Sequence, residues 1–391
     1  MKKLSKVVSV VLAASMTVGM LAGCGSTSST SETSTSDTFK IGSIGPLTGS
    51  AAIYGIAAMN GAQIAVDEIN AAGGINGYQI EFSTQDDAHD AEKSVNAYNS
   101  LKDWGMQILA GTVTTTPCLA VADKTYKDGM LEITPSASAA SVITNPNVFQ
   151  VCFTDPNQGI ASADYIAEHF PDATVGVLYC SNDAYSTGIR DTFVAEAAEK
   201  GITIAAEEAF TTDTNTDFTT QLQKCQSAGV DLLFYPYYYQ EASVILTEIN
   251  TMGYDVTVFG VDGMDGILGV TNFDVSLAEG VYLLTAFASD AKDDATVSFV
   301  TKYKEQYGDT LNQFAADAYD VIYTIKAVLE KANCTPSMSA KEIGDVAIPA
   351  MTEITVDGLT GEGMTWDSTG AVSKAPTAVV IKDGAYVTPE D

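Results

Sequence analysis

Residues 39–85 read "FKIGSIGPLTGSAAIYGIAAMNGAQIAVDEINAAGGINGYQIEFSTQ". An apolar strand run is followed by a helical pattern over 56–72 and then by a second strand run, "YQIEFSTQ". Ala58, Ala62, Ala65, Ile69 and Ala72 recur at helical spacing and form a small-residue face that lies close on a sheet. Gly73 and Gly74 follow it and suit the helix C-terminus, where left-handed backbone is wanted. A strand, a helix and a strand of these lengths make a parallel βαβ unit.

The same alternation continues outward. Helical patterns are expected over 91–103, before the strand run "MQILAG", and over 117–128, before "MLEIT". After a crossover at about 153–157 the pattern restarts, with helices over 158–169, 185–200, 217–228 and 240–252. The strand runs between them are "ATVGVLYC", "ITIAAEEAF", "VDLLFYPYYY" and "VTVFGVDG". "GVYLLTAFASD", residues 280–290, is expected to return the chain to the first lobe, which helices over 293–307 and 313–332 complete. "APTAVVIKDGAYV" then reads as a hairpin turning at Asp383-Gly384 that gives the second lobe its last strands. The fold class is α/β, with two doubly wound lobes. A chain of 391 residues, 46% of them hydrophobic, is long enough for two such cores.

The chain carries 19 Lys+Arg against 50 Asp+Glu, a net charge of −31, which repels a phosphate backbone; no nucleic-acid partner is expected. Its first residues, "MKKLSKVVSVVLAASMTVGMLAGCGS", set three lysines before an apolar run from Val7 to Leu21 that is too short for a stable span. This is an export signal over residues 1–23. Leu21-Ala22-Gly23-Cys24 resembles the lipobox of bacterial lipoproteins, in which Cys24 becomes the lipidated N-terminus. Processing leaves 16 basic against 50 acidic side chains, a net charge of −34. Residues 24–38 are a Ser/Thr-rich tether with nothing to bury.

Five cysteines remain beyond Cys24: Cys118, Cys152, Cys180, Cys225 and Cys334. Their number is odd and none is spaced as a metal pair, so buried free thiols are expected. No metal and no cofactor is expected. Asp86, Asp87, His89 and Asp90 form an acidic loop with no second His or Cys in phase. No nucleophile elbow, phosphate-binding loop or zinc-protease motif is present, and nothing in the residues supports catalysis.

The stretch "ILAGTVTTTPCLAVAD" places Thr114, Thr115 and Thr116 where an apolar strand meets a helix opened by Pro117. In open α/β sheets, ligands sit beyond the C-terminal strand ends, against exposed backbone N–H groups and helix N-termini. Proline suits the first turn, so Thr116 is expected as N-cap, with Thr115 turned to the cleft to meet a carboxylate; all three threonines serving only as caps is the alternative.

Residues 40–90 as a whole resemble the opening of the periplasmic binding proteins for branched-chain amino acids, the solute receptors of ABC importers. The resemblance continues in family order through "GTVTTTPCLAVAD", "ITPSASAASVI", "DPNQG", "VLYCSNDAYSTG", "DLLFYPYYYQEAS", "VFGVDGMDG" and "FAADAYDVIYTI". It implies the type I periplasmic binding protein fold, two lobes joined by three crossovers with a ligand cleft between them. Lobe I is then expected over 39–155 and 287–372, and lobe II over 156–286 and 373–391.

The resemblance also implies a site. Thr115 stands where the family has a serine that holds the amino-acid carboxylate. Ser136 would offer its carbonyl, and Ser138 its hydroxyl and amide. Asp262 would hold the α-ammonium, its carboxylate standing free at a strand tip, with Asp265 nearby; for either acid a solvated turn residue is the alternative. Tyr54, Tyr185, Tyr238 and Phe314 would wall the side-chain pocket, while Tyr235 and Tyr237 are packing residues. Relatives that bridge the acidic loop to the threonine loop by a disulfide have cysteines where this chain has His89 and Thr114, so that bridge cannot form.

The expected protein is a monomeric, extracytoplasmic lipoprotein held to the cell membrane by Cys24. It captures an amino acid, branched-chain or otherwise apolar, by hinge closure and delivers it to an ABC permease and its ATPase. The alternatives are a receptor for another small polar solute, such as an amide or an aromatic acid, and a sensory ectodomain.

Overall fold

A computed structural model describes residues 37–308 and 311–389. The export signal, Cys24 and most of the tether lie outside the described residues. β1 (Thr38–Gly45), α1 (Ala52–Ala71) and β2 (Gln79–Asp86) form the βαβ unit legible in the opening stretch. β1 pairs parallel with β2 along its whole length. Ala58, Ala62, Ala65 and Ile69 are buried as the spacing requires. Ala72 is not: the helix has ended, and Ala72 is an exposed C-cap, followed by Gly73 and Gly74 at positive φ. Gly61 lets α1 come close to a later helix, since a Cβ there would fall 1.9 Å from the Ala315 carbonyl oxygen.

α2 (Ala91–Trp104), β3 (Ile108–Ala110), α3 (Thr115–Asp128), β4 (Glu132–Thr134) and β5 (Val148–Gln150) complete the first sheet, ordered β2-β1-β3-β4-β5. The chain then crosses over. α4 (Asp155–His169), β6 (Thr174–Cys180), α5 (Ala184–Lys200), β7 (Thr203–Phe210), α6 (Thr219–Ser227), β8 (Leu232–Tyr235), α7 (Tyr239–Met252), β9 (Thr257–Gly260) and β10 (Tyr282–Thr285) build the second. Its parallel strands run β7-β6-β8-β9-β10, repeating the order of the first sheet. β10 therefore belongs to the second lobe, and the return to the first follows it rather than including it.

α8 (Asp294–Tyr307), α9 (Gln313–Lys331) and α10 (Ala340–Ala350) follow. α9 lies against α1 through the close approach at Gly61. β11 (Thr377–Lys382) and β12 (Ala385–Val387) then add antiparallel strands to the second sheet. Their turn, at Asp383 (φ 52°) and Gly384 (φ 73°), has two consecutive positive φ values, as a tight hairpin needs.

The chain thus passes between the sheets three times. Near the third passage the Lys374 ammonium is buried, donating to Asp317 Oδ1 at 3.0 Å and to Thr360 Oγ1 at 2.7 Å. Asp320 accepts from the Leu359 and Thr360 amides, tying the segment before β11 to α9. All five cysteines beyond Cys24 are free and buried.

Candidate functional site

The first-lobe wall comes from the chain leaving β3. Thr114, with extended backbone (φ −113°, ψ 153°), is the N-cap of α3, and Thr115 and Thr116 are its first two helical residues. The expected cap was Thr116; it lies two residues earlier, because Pro117 is tolerated anywhere in the first turn and does not fix which residue precedes the helix. Thr115 is 2% exposed and lines a closed cavity, whereas Thr116 faces solvent and does not reach it. The amides of Thr115 and Thr116 have no partner within the helix, so this end carries both N–H donors and partial positive charge.

The Thr114 hydroxyl is 2.9 Å from His89 Nδ1. His89 and Thr114, which stand at the positions of the disulfide that the resemblance implies, are thus joined by a hydrogen bond. In the acidic loop around His89, the exposed Asp86 accepts from the Leu47, Thr48 and Ala88 amides, the exposed Asp90 carboxylate caps α2, and only Asp87 is buried.

The second-lobe wall comes from the C-terminal ends of β6, β8 and β9. Asp262, 3% exposed, accepts a short hydrogen bond from the Tyr185 hydroxyl, and its amide donates to Gln158 Oε1 at 3.2 Å. It does not stand free, as expected from its neighbour Gly263; burial pushes its carboxyl up to about 7, against the pull of Tyr185 and Gln158. Gly263 is needed where it is, since a Cβ would fall 2.6 Å from the Tyr185 hydroxyl and 2.9 Å from the Tyr238 ring. Asp265 is also no solvated turn residue. It is 4% exposed, and its Oδ2 accepts from the Gln313 amide at 2.8 Å, clamping the loop after β9 to the start of α9.

Aromatic rings close the cavity. Tyr54 of α1 packs against Phe314 at 4.5 Å between centroids and against Tyr238 at 5.5 Å, while Tyr185 and Tyr238 stack at 5.1 Å. The Tyr54 hydroxyl donates to the Gly263 carbonyl across the cleft, and the Ile53 amide donates to the Tyr239 hydroxyl at 3.3 Å. Tyr238 lies beyond β8, which stops at Tyr235 before Pro236, so strand alternation does not set its direction. Tyr237 packs on Phe210 and Tyr238, and Tyr235 is buried in the core.

Seven of the nine expected ligand-site residues therefore meet around one cavity: Tyr54, Thr115, Ser136, Tyr185, Tyr238, Asp262 and Phe314, joined by Val113, Thr114 and Gly263. Its free volume is about 10 Å³, room for about one water, so the walls stand nearly in contact. Thr116 and Ser138 do not line it. The Ser136 hydroxyl donates to the Val113 carbonyl at 2.6 Å, which fixes one threonine-rich loop on the other. Ser138 is fully buried behind the cavity, its carbonyl accepting from the Asp155 amide at 2.9 Å. Asp155, Gln158 and Asp183 were not among the expected site residues, although "DPNQG" carried part of the resemblance. Burial raises the carboxyls of Asp155 and Asp183, and the Asp262 and Asp183 charges raise Asp155 further.

Two sheets of the same strand order, facing each other across a small cavity built from their C-terminal strand ends, define the type I periplasmic binding protein fold. The chain belongs to the periplasmic binding protein family, whose sequence model matches residues 38–385. It is 30% identical over 300 residues to the leucine-, isoleucine-, valine-, threonine- and alanine-binding protein of Pseudomonas aeruginosa, an alignment covering 76% of this chain and 79% of that one. Among solved structures, it is similar to the branched-chain amino acid transporter substrate-binding protein LivJ of Streptococcus pneumoniae, in complex with isoleucine. The TM-score is 0.80 at 27% identity, covering 90% of this chain and 100% of the other. A solute-binding protein of an ABC transporter from Rhodopseudomonas palustris, in complex with 3,4-dihydroxybenzoic acid, shares the fold with a TM-score of 0.79 at 23% identity, over 91% and 96% of the two chains.

Proposed function

We propose that this protein is the receptor of an ABC importer for a small α-amino acid with an apolar side chain, held to the membrane by a lipid on Cys24. Lobe I would comprise 39–155 and 287–372, and lobe II 156–286 and 373–391. The observation that carries the reading is the pairing of opposite walls. One offers the Thr115 hydroxyl and the N-terminus of α3; the other offers the buried carboxyl of Asp262, which no Lys or Arg of the described residues meets. A zwitterion answers both, carboxylate to the helix end and ammonium to the acid. The aromatic walls take the side chain, and contacts to both lobes favour the closed state that a permease would recognise. The relatives that bind branched-chain amino acids, alanine and threonine support this substrate class.

A second reading, an aromatic acid, is favoured by the ring-lined cavity and by the dihydroxybenzoate-bound neighbour. A benzoate brings no cation to Asp262, which weighs against it. A thermal-shift screen of amino acids and hydroxybenzoates separates the two, since a ligand at 100 times its Kd adds about 2.7 kcal/mol of stability. L-Leucine, L-isoleucine, L-valine or L-alanine should raise the melting temperature, and hydroxybenzoates should leave it unchanged. The converse result would overturn the reading.

A further inference from the structure

Behind the cavity lies a set of buried polar atoms with few partners in the protein. Among the described residues the Asp155 carboxyl has no donor beyond the neighbouring Ser138 hydroxyl, and Gln158 Nε2 has only the Asp262 carboxyl to meet. Asp155, Ser138 and Gln158 are 1%, 0% and 0% exposed. They are not scattered. The Asp155 amide donates to the Ser138 carbonyl, and Gln158, one turn along α4, holds the Asp262 amide through its other side-chain atom. Asp155 Oδ2 lies against Gly188 of α5, where a Cβ would fall 3.3 Å from it, one turn along from Tyr185, which lines the cavity.

A buried carboxyl with so few donors costs several kcal/mol, and proteins rarely leave one so without a use for it. No protein cation relieves this one. Lys374, a buried ammonium in the same region, is bonded to Asp317 and Thr360, and among the described residues no ion pair involves Asp155 or Asp262.

We propose that Asp155 is a second carboxyl for the ligand's ammonium, acting with Asp262, and that the pair selects solutes bearing an amine over hydroxy acids of the same shape. The proposal rests on the amino-acid reading above. The ammonium has three N–H donors; two acids and the Ser138 hydroxyl supply acceptors for all of them. The corresponding 2-hydroxy acid offers one O–H and no positive charge, so it leaves at least one buried carboxyl unanswered. Discrimination is large when buried polar groups of a site are left unpaired by the wrong ligand. Ser138 then contributes from behind the cavity wall rather than from its lining.

The test is Asp155→Asn, which keeps the shape and removes the charge. Calorimetry with L-leucine, L-isoleucine, L-valine and L-alanine, and with the 2-hydroxy analogue of whichever binds most tightly, should show the variant losing at least about tenfold affinity for the amino acid. The hydroxy acid should lose little, so the ratio between the two ligands narrows. The ligand-free variant should melt no lower than the wild type, because no protein cation depends on the Asp155 charge. Asp155→Ser gives a second uncharged variant if the first folds poorly. Unchanged affinity and an unchanged ratio would overturn the proposal while leaving the amino-acid reading standing. A lowered melting temperature with equal losses for both ligands would show a purely structural role and overturn it too. A wild type that binds none of the four amino acids would overturn both.

Discussion

At the scale of single residues, three adjacent threonines divide into three tasks. Thr114 stands at the N-cap position of α3 with its hydroxyl on His89 and not on the helix amides, Thr115 faces the cavity, and Thr116 faces solvent. Thr115→Val should therefore weaken amino-acid binding, and Thr116→Ala should leave it unchanged. Asp262→Ala should cost roughly 2–5 kcal/mol of binding, the usual penalty for removing one partner of a buried charge pair. Asp265 is no neutral control for that experiment: it clamps the loop after β9 to α9, so Asp265→Ala should lower the melting temperature. Calorimetry on the first three variants and thermal melts on the fourth check the set. Equal binding losses at Thr115 and Thr116 would contradict the division of labour. The identities of these residues were legible in the sequence, but their directions were not, since three identical side chains give no periodicity to read.

At the scale of elements, β4 and α3 are joined by an acid in the core of the first lobe. Glu132 is fully buried; Oε2 accepts from Thr125 at 2.7 Å and Oε1 from the Cys118 thiol at 3.4 Å. Burial pushes its carboxyl from 4.5 up to about 7. Between those pH values the folded chain holds a proton that the unfolded chain has lost, so stability falls as pH rises through the window and levels off above it. The slope is about 1.4 kcal/mol per pH unit for one such group. Asp87, raised to about 7, and Asp265, raised to about 6, act in the same direction. Melting temperatures should decline from pH 5 to pH 7, and Glu132→Gln should decline less steeply. An identical profile in the variant would show that Glu132 does not hold that proton.

Most element positions were legible because buried strand runs and helical spacing alternate cleanly. α10 was not foreseen: Gly344 and Pro349 look like breakers, although Ser339 and Glu342 form a capping box at its start. β8 was read too long, because Pro236 ends it, and Tyr238 beyond it lines the cavity.

At the scale of the whole molecule, two sheets of one strand order meet through a cavity whose lining comes from seven separate segments of the chain. Both lobes were legible, since the helix and strand pattern restarts near residue 155. The root of the cleft was not. Asp155, Ser138, Gln158 and Asp262 are separated by up to 124 positions in sequence and meet only after both lobes have folded and closed. Their shared character, acids and hydroxyls with no protein cation, is a property of the assembled molecule. The most direct test of the account is a crystal structure of the protein with the amino acid that stabilises it most. The account predicts the ligand carboxylate within hydrogen-bond distance of the Thr115 hydroxyl and the α3 amides, and the ammonium at Asp262. A ligand bound in the opposite orientation, or outside this cavity, would contradict it.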